Sequence, residues 1–228
     1  MSHHDRFWPR LAAACVIVVL ATAVSLPAQT DAGTIPDTLP VVQLPPPQTT
    51  GGRPLMQVLK DRRSTREFFS QKLSPQVLSN LLWAAFGVNR PDGRRTAPSA
   101  MNWQEVDIYV ATADGLYLYD AKANALHTIS TRDVREATGT QDFVKEAAAD
   151  LVYVADLVKA GRARGEEQTL YLGADTGFIA QNVYLFCASE GLAAVVRGSV
   201  DRPALSKLMK LRPEQKIILA QTVGYPKQ

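Results

Sequence analysis

Histidine, cysteine and any excess of one charge are scarce in this 228-residue chain, and each shortage removes a class of function. The chain has three histidines, and only His127 lies beyond the first few residues. That leaves too few imidazoles for a zinc site or a Ser-His-Asp triad, and His127, in a strand pattern, reads as structural. Cysteine is limited to Cys15 and Cys187. Cys15 falls in an N-terminal apolar run expected to be removed, so no internal disulfide is expected in the mature chain. The 25 basic and 22 acidic residues are dispersed, with a net charge of +3 and no dense basic tract, which argues against nucleic acid as a partner. Long apolar runs are also missing after the N-terminus. Hydrophobic residues nevertheless make up 46% of the chain, enough for one domain with a real core.

The N-terminal segment, 1–28, has the form of a secretory signal. Arg6 and Arg10 precede the apolar run 11–20, and the small residues Ala21, Ala23 and Ala28 follow. The run is shorter than the ~20 apolar residues of a membrane span. Cleavage, export and no stable membrane span afterwards are therefore expected, with an uncleaved anchor as the alternative. Residues 29–52 carry prolines at 36, 40, 45, 46 and 47 and few charges, which predicts an extended linker or arm. The arm is expected to act as a tether, or, since Val41, Val42 and Leu44 are apolar enough to need covering, to cross onto a partner subunit.

The domain proper, 53–228, alternates helical and strand patterns. The spacing of Leu55, Val58 and Leu59 after Pro54 predicts a short helix closed by a basic cluster. Ser74-Pro75 caps a second helix ending at Gly87. Alternation through Val106, Ile108 and Val110, then Leu116 and Leu118, then Leu126 and Ile129 predicts a three-stranded meander. A weaker helix is expected over 133–149, a buried strand over 151–155, a charged break over 161–167 and the longest helix over 169–190, closed by Gly191. A strand over 192–196, a helix over 203–211 and a last strand over 217–223 complete an α+β fold with a mixed sheet.

Two polar clusters stand out in this pattern. The first is Arg62-Arg63-Ser64-Thr65-Arg66, three forked and permanently charged donors around a hydroxyl, well suited to a phosphate monoester. Taken alone, it reads equally as a solvated basic patch at a helix end. The second is Pro98-Ser99-Ala100-Met101-Asn102-Trp103-Gln104, rich in amides and hydroxyls within an apolar chain. Together with the terminal Gly224-Tyr225-Pro226 they resemble the signature of the nitroreductase superfamily, in particular its SagB-like branch, over nearly the whole mature chain.

That resemblance implies an α+β homodimer with FMN at the subunit interface. It also implies ping-pong transfer from a reduced donor, NAD(P)H or another, to a small electrophile such as a nitroaromatic or quinone. By position, Arg62, Ser64 and Arg66 are expected at the FMN phosphate and ribityl chain, with Arg63 beside them. Asn102 and Gln104, held by Pro98 and Ser99, are expected at the ring edge. Arg197 and Gly198 match a turn whose backbone amides approach the flavin, and Lys227 is a late phosphate contact. No side-chain acid or base is needed for hydride arrival at the flavin, which agrees with the shortage of histidine. The chain departs from the pattern at Glu105-Val106, where many members have a proline-tryptophan pair. It also stops at Gln228, where members often continue into a basic tail, which shifts the expected phosphate contacts to Arg62 and Arg66. A flavin-binding module without turnover, and a dehalogenating or flavin-fragmenting enzyme on the same fold, remain as alternatives.

Overall fold

The computed structural model describes residues 39–161 and 163–227. The expected leader, 1–28, and the first part of the arm, 29–38, lie outside the described residues. The arm's second part forms a short edge strand, β1 (Val41–Gln43), antiparallel to β5. Its prolines then lie along the second helix, where Pro45 O accepts from Ser79 Oγ at 2.6 Å and from Asn124 Nδ2 at 2.9 Å.

Helix α1 (Leu55–Asp61) follows Pro54 and ends where Arg62 N donates to Val58 O. After β2 (Phe68–Phe69), Ser74 caps α2 (Pro75–Phe86) by accepting from Val77 N, as its sequence predicts. The meander is β3 (Val106–Thr112), β4 (Gly115–Asp120) and β5 (Ala125–Ser130). Next come β6 (Ala149–Asp156), α3 (Gly165–Glu190), β7 (Ala193–Arg197), α4 (Arg202–Leu208) and β8 (Gln215–Pro226).

The main path of the eight-stranded sheet is β1-β5-β4-β3-β6-β8-β2, and β7 also pairs with β8. The sheet has two covered faces, because side chains alternate across a strand. Ile108 and Val110 of β3 and Leu151 and Tyr153 of β6 pack with Leu82, Phe86 and Ile179 of α2 and α3. Tyr109, Ala111, Val152 and Val154 face the other way, onto Leu205 and Met209. All eight residues of β6 are consequently buried.

The α+β class agrees with the sequence, but three details differ. Every strand pairing among the described residues is antiparallel, where a mixed sheet was expected. The α3 crossover does join two strands of the same direction, β6 and β7, but β8 runs between them and pairs with both. The helix expected over 133–149 is instead two 3-10 turns, Arg135–Thr138 and Asp142–Lys145. Thr138 Oγ1 turns back to Arg135 O at 2.8 Å, and a Cβ on Gly139 would lie 1.8 Å from Arg197 Nη1, so the chain here is shaped around a buried arginine. Finally, α3 starts at Gly165, so part of the expected charged break is its first turn. Glu166 and Glu167 there complement the positive end of the helix dipole.

Candidate functional site

The basic pentad leaves α1 and runs beside the C-terminal half of α3 and strand β7. Thr65 N donates to Ala194 O at 3.0 Å. Tyr184 of α3 gathers the segment: its hydroxyl lies 2.8 Å from Ser64 Oγ and accepts from Val196 N at 2.8 Å, while the Arg62 guanidinium stands 5.3 Å from its ring centroid. A cavity of about 400 Å³ opens here, with Lys60, Arg62, Arg63 and Tyr184 in its wall together with backbone of residues 191–194. Arg63 and Arg66 are exposed, and neither guanidinium has a hydrogen-bond or ion-pair partner among the described residues. Three cations around the cavity, with Arg66 just outside its lining, suit a dianionic phosphate.

The second cluster is strained. Met101, Asn102 and Gln104 have φ of 47°, 56° and 49°, left-handed conformations that each cost about 1–3 kcal/mol in a non-glycine residue and collect at ligand-binding sites. The loop is bonded throughout. Ser99 Oγ accepts from Gln104 N at 3.0 Å, and Ala100 N donates to Asp175 Oδ2 at 2.7 Å. Gln104 Oε1 accepts from Arg95 Nε at 2.9 Å, and its Nε2 donates to Gly93 O and Asn102 Oδ1. Both ends of the Gln104 amide are thus committed within the loop, whereas the exposed Asn102 keeps an Nδ2 with no partner among the described residues. Pro98 is exposed at the start of the loop, and Trp103 packs edge-on against Tyr171, 5.6 Å between centroids.

The Arg197 side chain faces away from its turn, so the backbone contact expected of it is the one it can still make. It is 5% exposed and points into the sheet, where Nη2 donates to Asp150 Oδ1 at 2.9 Å, Nη1 to Thr138 O at 2.8 Å and Nε to Thr222 Oγ1 at 2.9 Å. Burial pushes the Asp150 carboxyl up to about 6, with Arg197 pulling the other way. The guanidinium is therefore spent on the core, and only the backbone of residue 197 and the exposed Gly198 can face a ligand. Lys227 pairs with Glu146 at 2.8 Å on an exposed surface, and its backbone N donates to Glu67 O.

Within one chain these residues form two groups. Arg62, Arg63, Ser64 and the strand leading to Gly198 meet at the C-terminal half of α3, and residues 98–104 meet its N-terminal half at Tyr171 and Asp175. Asp175 and Tyr184 are separated by roughly 14 Å along the helix axis, and no residue of the 98–104 loop lines the cationic cavity.

Tyr184 and Asp175 go unnoticed in the sequence, and Glu105 stands out there only as a departure from the family pattern. The only available signal for Glu105 was a carboxylate at the head of an otherwise apolar strand. It is 0% exposed, and neither carboxyl oxygen has a hydrogen-bond partner among the described residues. Burial pushes it up to about 7, and the neighbouring Asp175 carboxyl adds to the rise. No cluster of metal-ligating side chains occurs among the described residues.

The fold and these groups define an α+β domain with a cationic cavity at the C-terminal half of α3 and a strained, amide-bearing loop at its N-terminal half. The model of the nitroreductase family matches residues 59–225, and the chain belongs to that family, whose general role is that of an oxidoreductase. A candidate nitroreductase of Methanocaldococcus jannaschii is 32% identical over 168 residues, covering 69% of this chain and 85% of that protein. The crystal structure of a candidate nitroreductase from Ralstonia eutropha superimposes with a TM-score of 0.79 at 44% identity, over 82% of this chain and 90% of that one. The NADPH:FMN oxidoreductase of Vibrio harveyi shares the fold, with a TM-score of 0.58 at 22% identity over 76% and 68% of the two chains.

Proposed function

We propose that the protein is an FMN-dependent oxidoreductase of the SagB-like branch, working as a homodimer on a small electrophile such as a nitroaromatic or quinone. The observation that carries this reading is the uncompensated set of guanidiniums around Ser64, beside a cavity walled by Lys60, Arg62 and Arg63. Unpaired arginines held at a cavity by a buried scaffold are poised for a phosphate group.

Bound FMN supplies the two-electron carrier between donor and acceptor. The chain's own residues then have separate tasks. Arg62, Arg63 and Arg66 neutralise the phosphate, and Ser64, oriented by Tyr184, adds a hydroxyl. Asn102 offers its free amide hydrogens toward the ring edge, where charge grows on reduction. Gln104 acts one step back, by fixing Asn102. Gly198 leaves its turn open for close approach, since a Cβ there would meet nothing within 4 Å.

The dimer supplies what a single chain lacks. On α3 the exposed positions include Leu170, Gly173, Ala174, Gly177 and Phe178, an apolar and small-residue face of the kind that allows helices to approach closely. Pairing on that face would bring the 98–104 loop of one subunit toward the cationic cavity of the other. Export by the 1–28 leader is part of the proposal, and with it a donor other than a cytosolic nicotinamide pool. A reduced quinone or another flavoprotein would serve.

The test is the absorbance spectrum of the purified protein, before and after anaerobic addition of NADH, NADPH or a reduced quinone. A flavin spectrum bleached by at least one donor is expected. A colourless protein that takes up no FMN would overturn the reading, and a flavin that no donor reduces would make the protein a binding module. A reporter fused to residues 1–30 checks export separately.

A further inference from the structure

Glu105 has no place in the chemistry above, yet both of its buried carboxyl oxygens lack a hydrogen-bond partner among the described residues. It directly follows Gln104 at the head of β3, where its backbone O accepts from Asp156 N at 2.8 Å, so its position is set by the β3–β6 ladder. Its carboxyl is fully enclosed, and that burial outweighs its own backbone N–H and the Lys159 charge, which pull the carboxyl down. Its acidic neighbour is Asp175 of α3, 3% exposed, which receives the amide of Ala100 from the 98–104 loop. The surrounding charges are already engaged: Lys159 with Asp107 at 2.8 Å and Asp156 with Arg212 at 2.6 Å. No free cation remains among these groups to neutralise two buried carboxylates. Such a pair must then keep a proton between them, because two like charges cannot both be held in a low-dielectric site.

We propose that Glu105 and Asp175 share one proton beneath the 98–104 loop, and that this carboxyl–carboxylate contact is the latch that holds the loop in its strained, ligand-facing shape. In the latched state the Glu105 hydroxyl donates to Asp175, and Asp175 accepts in addition from Ala100 N. The loop's start is thereby fixed to α3 and its end to β3, with the left-handed residues Met101, Asn102 and Gln104 between. Loss of the proton to solvent leaves two adjacent carboxylates, whose repulsion acts on the residues carrying the strain. The upward displacement of Glu105 to about 7 agrees with this geometry and places the unlatching near neutrality. Both carboxyls are positioning residues. They act through Asn102, so this step rests on the functional reading above for its consequence but not for its existence.

The experiment follows Trp103, which lies inside the loop. In the full chain with Trp8 and Trp83 changed to phenylalanine, Trp103 is the sole indole. Its fluorescence, recorded without flavin from pH 5 to 9, should show a one-proton transition near pH 7. Adding Glu105→Gln, which keeps a donor and cannot ionise, should abolish that transition and preserve the low-pH spectrum. The same transition in the Gln variant, or none in its parent, would overturn the proposal. Should the Gln variant fail to fold, carbon-13 carboxyl titration of the unaltered chain decides. The Glu105 carboxyl titrating near 7, assigned separately from the raised Asp150, supports the latch, and Glu105 titrating in the ordinary carboxylate range overturns it. In the FMN-loaded protein, the pH break near 7 in the flavin reduction rate should vanish with Glu105→Gln. A chain that takes up no FMN removes the proposed function and leaves the fluorescence result standing. A chain that takes up FMN and keeps its break in the Gln variant removes only the latch's role in the reaction.

Discussion

Replacing Asp150 by alanine isolates what the buried arginine does. Arg197 and Asp150 are both almost entirely enclosed, on adjacent positions of β7, β8 and β6, with Thr222 donating to Asp150 and Thr138 accepting from the guanidinium. Asp150→Ala leaves three of the guanidinium's hydrogen bonds, to Thr138 O, Thr138 Oγ1 and Thr222 Oγ1, but strips its counter-charge. Breaking a buried pair from one side costs about 3–5 kcal/mol. With a urea dependence of about 2–3 kcal/mol per molar for a domain of this size, the unfolding midpoint should fall by roughly 1–2 M. The double replacement Asp150→Leu with Arg197→Met removes both charges, should recover most of that loss, and should leave the flavin reduction rate unchanged. A loss below about 1 kcal/mol for Asp150→Ala, or a double variant less stable than the single, would refute the ion-pair reasoning. A slowed flavin step in a stable double variant would return the Arg197 side chain to the site.

Other outcomes follow from the same geometry. Arg66→Ala should weaken FMN binding about 10- to 100-fold by isothermal titration with the fold intact, since each charge-assisted bond contributes roughly 1.5–3 kcal/mol. Asn102→Ala should keep FMN but slow its reduction and lower its potential, measured by anaerobic dye equilibration. Gly177→Leu adds bulk to the small-residue face of α3 and should shift light scattering toward monomer, with FMN occupancy falling in parallel. The raised Glu105 carboxyl makes a signed prediction about stability. The unfolded chain loses this proton near its ordinary value of 4.5 and the folded chain near 7, so stability should decline as pH rises through that window, by at most roughly 3 kcal/mol. Glu105→Gln should flatten that decline in urea titrations at pH 4.5 and 8.

Much of the architecture is visible in the sequence because local signals and burial agree there. Ser74-Pro75 both caps and starts α2, the alternation from Val106 to Ile129 is the meander, and Gly191 closes α3 at φ 70°. The misreadings occur where a distant residue overrides the local pattern. Residues 133–149 have helical composition, but Gly139 must stay clear of Arg197, a contact across 58 positions of chain that no window reveals. The mixed sheet is read from helices and strands interleaved beside an antiparallel meander. Only the insertion of β8 between β6 and β7 makes every described pairing antiparallel.

The site divides in the same way, between what residue type discloses and what only direction can. Arg62, Ser64 and Arg66 could be named from sequence because permanently charged forks beside a hydroxyl suit an anion and match the family signature, a match that does not depend on where they point. Arg197 could not be placed so, since an arginine at a strand end serves equally as a ligand donor or as the buried partner of an acid. The structure turns it toward Asp150, and with it the polarity of Thr138 and Thr222 is accounted for. Glu105 is the converse case. In sequence it is only a departure from the family pattern, and burial without a cation makes it a proton holder. The two clusters that first marked the chain lie along one helix with Asp175 under one and Tyr184 under the other. Any change that moves α3 therefore moves the arginine cluster and the strained amide loop together. That coupling gives a reason for a 26-residue helix beside both clusters, and it predicts that substitutions on the exposed apolar face of α3 act on FMN affinity and on the 98–104 loop at once.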